Sequence, residues 1–195
     1  MGTRARPPLN LLPVHVQIPL FFPRLSAPGS YEETSPPTWD YNCIAWSAGK
    51  EVWVTNRQDN WWWPEPDSYW PDGATRQPVV SAFVEVFSRF GYRPCKSFDL
   101  EPGYEKVAIY VDEDGTPTHM AKQLPNGAWT SKLGPIWDIT HLTLDGLNGP
   151  KPAYGIARQA LRRRIDNWLL VIPRLLITST VRFVSRMLHR SVARL

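Results

Sequence analysis

Residues 79–90 place Val79, Val80, Phe83, Val86, Phe87 and Phe90 at i, i+3/i+4, i+7 spacing. That periodicity predicts an amphipathic helix packed on a core and ended by Gly91. Further along, the pattern changes to short β-compatible runs. Residues 106–112 form the clearest, and the turn pair Asp114-Gly115 follows. Residues 118–124 and 128–133 are two more, separated by Asn126-Gly127, the strongest hairpin dipeptide. Residues 136–144 alternate in part and predict a fourth strand. Together these runs predict an antiparallel meander that ends in the Gly/Pro-rich stretch 145–154.

Earlier in the chain, Tyr41-Asn42-Cys43-Ile44-Ala45-Trp46-Ser47-Ala48-Gly49 combines a capping residue with a glycine stop. It predicts a short helix with Cys43 in its first turn. Residues 1–39 predict an irregular arm, because Pro13 and Pro19 interrupt the apolar run 11–22. Residues 26–37 predict a polar linker. Arg4 and Arg6 before that run resemble a secretory signal only loosely. The myristoylation pattern fails, with Arg at position 6. Residues 50–78, with Trp53, Trp61, Trp62, Trp63 and Trp70, predict a long loop. It reads equally as the wall of a substrate groove or as rings closing over a small core.

Charge divides the chain. Residues 1–155 hold thirteen Lys and Arg against seventeen Asp and Glu, and residues 156–195 hold nine Arg and one Asp. The basic stretch predicts two helices broken at Pro173. In the second, Arg182, Arg186, Arg190 and Arg194 recur every four residues beside Leu175, Leu176, Val181, Val184, Met187 and Leu188. Arg162, Arg163 and Arg164 extend the same basic face. Such a tail lies on an anionic membrane surface, docks on a partner protein or on this chain's own acidic patch, or binds nucleic acid. The last has least support, because no nucleic-acid motif accompanies the arginines. The apolar runs are too short to span a bilayer. The expected setting is intracellular, with peripheral membrane attachment or secretion as further options.

The chain has 195 residues with 20 Pro, 10 Trp and two Cys. Two cysteines make neither a metal site nor a disulfide framework, so no metal and no cofactor is expected. Cys43 offers a candidate nucleophile, since unpaired N–H groups at a helix start favour a thiolate. Its bland alternative is a buried structural thiol, and a Cys43–Cys95 bridge would remove the nucleophile. Cys95, after Pro94, reads as structural. His119 opens a strand and is the best candidate base. A two-residue turn at Asn126-Gly127 would put it opposite position 134, near Ser131 and Lys132. Asp138 lies slightly beyond and is the better carboxylate to orient an imidazole. His141 reads as a structural strand residue, and His15 and His189 as surface groups.

Tyr41-Asn42-Cys43-Ile44-Ala45-Trp46-Ser47-Ala48, the Trp-Trp-Trp-Pro and Tyr-Trp-Pro elements, Thr118-His119-Met120-Ala121, residues 126–134 and Asp138-Ile139-Thr140-His141 resemble a family of papain-like (NlpC/P60-like) domains. The resemblance covers about residues 38–155. It implies an α+β fold with a papain-like core, in which an N-terminal nucleophile helix packs on an antiparallel sheet and the basic helices form a C-terminal appendage. It implies Cys43 as nucleophile, His119 as base and Asp138 as orienter, and a cysteine hydrolase so built is expected to act on a peptide, protein or amide substrate, with the bond left open. The papain family's Gln before the Cys is missing, because positions 36–39 are Pro, Pro, Thr and Trp. Oxyanion donors would therefore come from the Cys43 N–H with Asn42 or Thr38. Asn42, Trp62, Trp63, Trp70 and Ser131 are the candidate substrate contacts. Two other functions fit the same features: an inactive domain whose Trp-rich face binds peptide or glycan, and a membrane-active toxin or effector working through its tail.

Overall fold

In a computed structural model of the chain, residues 12–49 and 70–165 are described. Trp53, Trp61, Trp62, Trp63, Arg182, Arg186 and Arg190 lie outside the described residues, as does the rest of the tail from 166. The described chain is dominated by one seven-stranded sheet whose strand pairings are all antiparallel. Its strands are β1 (Tyr31–Ser35), β2 (Arg93–Cys95), β3 (Tyr104–Val111), β4 (Pro117–Gln123), β5 (Trp129–Lys132), β6 (Asp138–His141) and β7 (Ile156–Arg164). Across the sheet they run β1-β6-β5-β4-β3-β7-β2. The helices are short: α1 (Val14–Phe21), α2 (Cys43–Ala48) and α3 (Val80–Ser88).

The meander and the helices at 43–48 and 80–88 lie where the periodicity put them. The papain-like α+β architecture does not match the described residues, and the expected helical appendage starts as a strand; its remainder from 166 lies outside the described residues. Residues 156–164, expected to begin a basic helix, form β7, which pairs with β3 along its length and with β2 on its other side. Helix propensity is a weak prior, and two neighbouring strands with unpaired edges outweigh it. Arg162 pairs with Glu101 and lies 4.6 Å over the Tyr104 ring; Arg163 pairs with Glu105 at 3.0 Å and lies 4.8 Å over Tyr92. These two arginines are therefore held in ion pairs on the sheet, and with Arg164 they do not form a helix face for a membrane or partner. The arm expected to be irregular contains α1, with Pro19 inside it, and β1, which closes the sheet against β6. None of the described helices is long and apolar enough to cross a membrane.

Two apolar layers cover the sheet. On one face, α2 and α3 bury Ile44, Ala45, Phe83, Val86 and Phe87 against Val107, Ile109, Met120 and Leu161. On the other, α1 and the loops bury Ile18, Phe22 and Leu25 with Ala108, Tyr110, Ala121, Trp129 and Ile139. Period-2 alternation along β3 and β4 serves both layers at once. Trp70, expected in a groove, belongs to the first layer: it is buried, meets Phe83 edge-on at 5.3 Å, and donates its Nε1–H to the Thr75 carbonyl.

The β4–β5 connection differs from the expected two-residue turn. Leu124 N bonds Ala128 O at 2.8 Å, Gly127 N bonds Leu124 O at 2.9 Å, and Gly127 takes φ 88°. This is a three-residue loop with a left-handed glycine. The ladder it starts is short, pairing only Gln123 with Trp129 and Lys122 with Thr130. Beyond those pairs β4 and β5 part, and the sheet opens.

A cavity where the sheet opens

The opening between β4 and β5 holds a cavity of about 270 Å³. One lip carries Thr118 and His119 from β4, and the other carries Leu133 and Gly134 after β5. Asn42 and Cys43 reach it from α2. The parting of the strands lets a residue from the helix layer and one from the sheet border the same space. Local chemistry fixes each of them. Asn42 caps α2, its Oδ1 accepting from Ile44 N and Ala45 N at 3.0 Å each. That use of the side-chain oxygen makes Asn42 a helix cap, and its Nδ2 is the side-chain group that can donate to a ligand.

Cys43 is a free thiol, 9% exposed. Burial pushes its pKa up to about 11, against backbone hydrogen bonds from Met120, Cys43 and Ile44 and the charge of Lys132. The expected lowering at a helix start is present, and desolvation exceeds it. His119 is 1% exposed, and burial drives its pKa well below the ordinary value, with His141 adding to the shift. Its Nε2 is enclosed without a hydrogen-bond partner. The pair therefore rests as thiol and neutral imidazole.

Asp138 does not orient His119. Its Oδ2 accepts from Ser35 Oγ at 2.8 Å and from the Tyr41 hydroxyl, and Lys132 Nζ lies 3.6 Å from Oδ1. Lys132, fully buried, also donates to the Ile136 carbonyl and sits 5.1 Å over the Tyr41 ring. Burial lowers the Lys132 pKa while Asp138 opposes that shift. Ser131 bonds His141 Nε2 at 2.9 Å rather than facing the cavity. His141 Nδ1 lies 2.8 Å from the Thr143 carbonyl. A carbonyl only accepts, so Nδ1 carries the proton and the Ser131 hydroxyl donates to Nε2. The structural reading of His141 is what the geometry supports.

What holds the His119 ring is aromatic. Tyr154 stacks on it at 4.0 Å and 4°, and Tyr110 meets it edge-on at 5.5 Å. Among the described residues no side chain hydrogen-bonds the ring. Tyr154 also lines the cavity. Burial, with the charge of Cys43 as a second cause, raises its pKa far above the usual phenol value. Sequence reasoning treated Tyr154 only as the end of the body. Its signal was Gly155 beside it: at φ 79°, a Cβ there would collide with the Val111 carbonyl oxygen. The Gly149–Gly155 bridge pins the loop that presents the ring.

Phe21 and Phe22 from α1, with Pro135, Ile136 and Pro152, complete the apolar wall. Phe22 meets Tyr154 at 5.3 Å, extending the aromatic stack behind His119. Among the described residues no group of three or more His, Cys, Asp or Glu is placed to hold a metal ion.

Residues 32–162 match the family model described as Domain of unknown function (DUF7689), and the chain belongs to that family. No curated protein matches the chain, and no solved structure does.

Proposed function

We propose that this member of the DUF7689 family is a thiol-dependent hydrolase, cleaving an ester or amide through an acyl intermediate on Cys43. One observation carries the reading: Cys43, His119 and Tyr154, distant in sequence, border one cavity, and His119 Nε2 is buried there without a hydrogen-bond partner. Buried polar groups are ordinarily partnered, and the exceptions call for a reason. A ligand that supplies a carbonyl is such a reason.

The chemistry follows from the positions. Cys43 Sγ attacks the bound carbonyl carbon, forming the S–C bond, while the thiol proton passes to the His119 imidazole. The carbonyl oxygen gains negative charge and accepts a hydrogen bond from the Tyr154 hydroxyl. The C–O or C–N bond then breaks, and the leaving group takes the proton from His119. Water attacks the thioester, His119 accepts its proton, the C–S bond breaks, and the thiol returns. The face of the stacked Tyr154 ring favours the imidazolium formed on the way. A thiol with a pKa of about 11 beside a neutral imidazole is not a preformed ion pair. The nucleophile is generated as substrate binds.

That resting state also favours a second reading, a cavity that binds an apolar ligand without reacting. Intact-mass analysis after incubation with p-nitrophenyl butyrate separates the two. Hydrolysis predicts one butyryl group on Cys43, absent in Cys43→Ala and slowed in His119→Gln. Cys95, half-buried on β2, is the internal comparator. Acylation of Cys43 no faster than of Cys95 would leave the binding reading. Iodoacetamide labelling of Cys43 in the free protein should climb only above about pH 9, following its raised pKa.

A further inference from the structure

We infer that the cavity is a pocket for an uncharged, apolar acyl group, and that Phe21 of α1 limits the chain length it accepts; this rests on the hydrolase reading above. Among the described residues that line it, none is charged. Its walls are Phe21, Phe22, Leu133, Pro135, Ile136 and Pro152. Lys132, beside the lining residue Leu133, and Asp138 are paired with each other and contact Tyr41 and Ser35. An acyl chain ending in a carboxylate would enter without a counter-charge and lose its hydration.

The neighbouring groove, by contrast, is charged. That groove shares Thr118, Pro152 and Tyr154 with the cavity and carries Arg24, Glu113 and Lys151 along its length. The shared wall divides the substrate accordingly: an apolar acyl group inside, and a more polar leaving group outside.

Phe21 and Phe22 do different jobs. Phe22 is buried in the core and braces Tyr154. Phe21 is only partly buried, at the end of α1, so its ring can be changed with less cost to the core. Both precede residue 32, where the family match begins. The Phe21 part of the wall is therefore supplied by a segment N-terminal to the matched residues.

The test is a series of p-nitrophenyl esters from acetate to octanoate, with the acylation rate of Cys43 read by mass. The rate should rise about fourfold per methylene until the pocket fills, then fall. A monoester with a terminal carboxylate should react about a hundredfold more slowly than its apolar counterpart of equal length. Phe21→Ala should move the optimum to longer chains and Phe21→Trp to shorter ones. Binding of N-methylalkanamides of the same lengths to Cys43→Ala reads the pocket without the chemistry, and should follow the same order. Acylation independent of chain length, or faster with the charged ester, would overturn the inference and leave the nucleophile standing. Failure of every ester to acylate Cys43, with amide binding still graded by length, would remove the hydrolase reading and keep the pocket. Flat amide affinity would remove the pocket.

Discussion

Two buried polar clusters lie close enough for one to feel the other's charge, and they are treated in opposite ways. In the first, Asp138 accepts hydrogen bonds from Ser35 and Tyr41 through Oδ2, and Lys132 lies 3.6 Å from its Oδ1, so a cation and a carboxylate sit paired inside the fold. In the second, Cys43, His119 and Tyr154 surround a cavity in neutral form. Burial acts on both. Partners compensate it in the first cluster. In the second, burial outweighs the backbone hydrogen bonds and the Lys132 charge at Cys43, and His119 Nε2 has no partner, so the thiol rises, the imidazole falls, and the site keeps polar capacity for something that is not part of the chain. That contrast separates a structural network from a binding site, because desolvation alone is common to them.

Breaking the compensated cluster should have the largest effect. Lys132→Met leaves the Asp138 carboxylate buried without its cation, and should cost about 3–5 kcal/mol in urea unfolding. Replacing both, as Lys132→Met with Asp138→Leu, should recover part of that loss, because no lone charge remains. A double variant as damaged as the single one would mean that the network's hydrogen bonds, rather than its charges, carry the stability.

The uncompensated cluster should respond in rate rather than stability. Tyr154→Phe keeps the ring stacked on His119 and removes only the hydroxyl. The acylation rate of Cys43 should fall about 10²–10³-fold, as for loss of one oxyanion donor, with the unfolding midpoint nearly unchanged. An unchanged rate would take Tyr154 out of the chemistry and leave it as packing for the imidazole.

Acid should separate the histidines from the rest of the fold. In the folded chain burial lowers His141 to about 4 from an ordinary 6.5. Above pH 6.5 both folded and unfolded chains hold it neutral, and no stability is lost. As pH falls below 6.5 the unfolded chain takes up a proton that the folded chain refuses, so stability declines until about pH 4. For His141 the loss is about 3 kcal/mol, and His119, shifted in the same direction, adds to it. Urea unfolding across pH 7 to 4 should show this slope, and His141→Asn should flatten it. An equally steep profile in that variant would assign acid sensitivity elsewhere.

How much of this was legible in the sequence depends on which contacts decide each feature. The apolar spacing of Val80, Phe83, Val86 and Phe87 marks α3, and the Asn42 cap with the Gly49 stop marks α2. These are local signals. Cys43 and His119 were singled out because nucleophile and base chemistry restricts the residue types, and both border the cavity. What failed was non-local. Ile156–Arg164 has a helix-compatible composition, and only the edges of β3 and β2 make it a strand. Asp138 was assigned to His119 on chemistry alone, but Lys132 pairs with it instead. Tyr154 carries no motif, and it becomes visible only when Gly155 brings its loop against Val111. The short β4–β5 ladder, which creates the cavity, depends on the three-residue loop at 125–127, which Asn126-Gly127 alone does not distinguish from a two-residue turn.

The smallest expected effect sharpens the comparison most, because it has the opposite sign. If His119 Nε2 is left unpaired for a ligand, removing it should stabilise the empty protein. His119→Phe keeps an aromatic ring between Tyr154 and Tyr110 and no longer encloses an unsatisfied nitrogen. The gain should be about 1–2 kcal/mol at neutral pH. It should grow as pH falls below 6.5, because the wild-type imidazole is then protonated only in the unfolded chain. Cys43 acylation should be lost in the same variant. Stability gained with activity lost is the signature of a residue kept for function at a cost to the fold. Urea unfolding of the two proteins at pH 7 and pH 5 reads it directly. A destabilised His119→Phe at both pH values would mean that the imidazole is a packing element like His141, and the distinction between the two clusters would fail at its central residue.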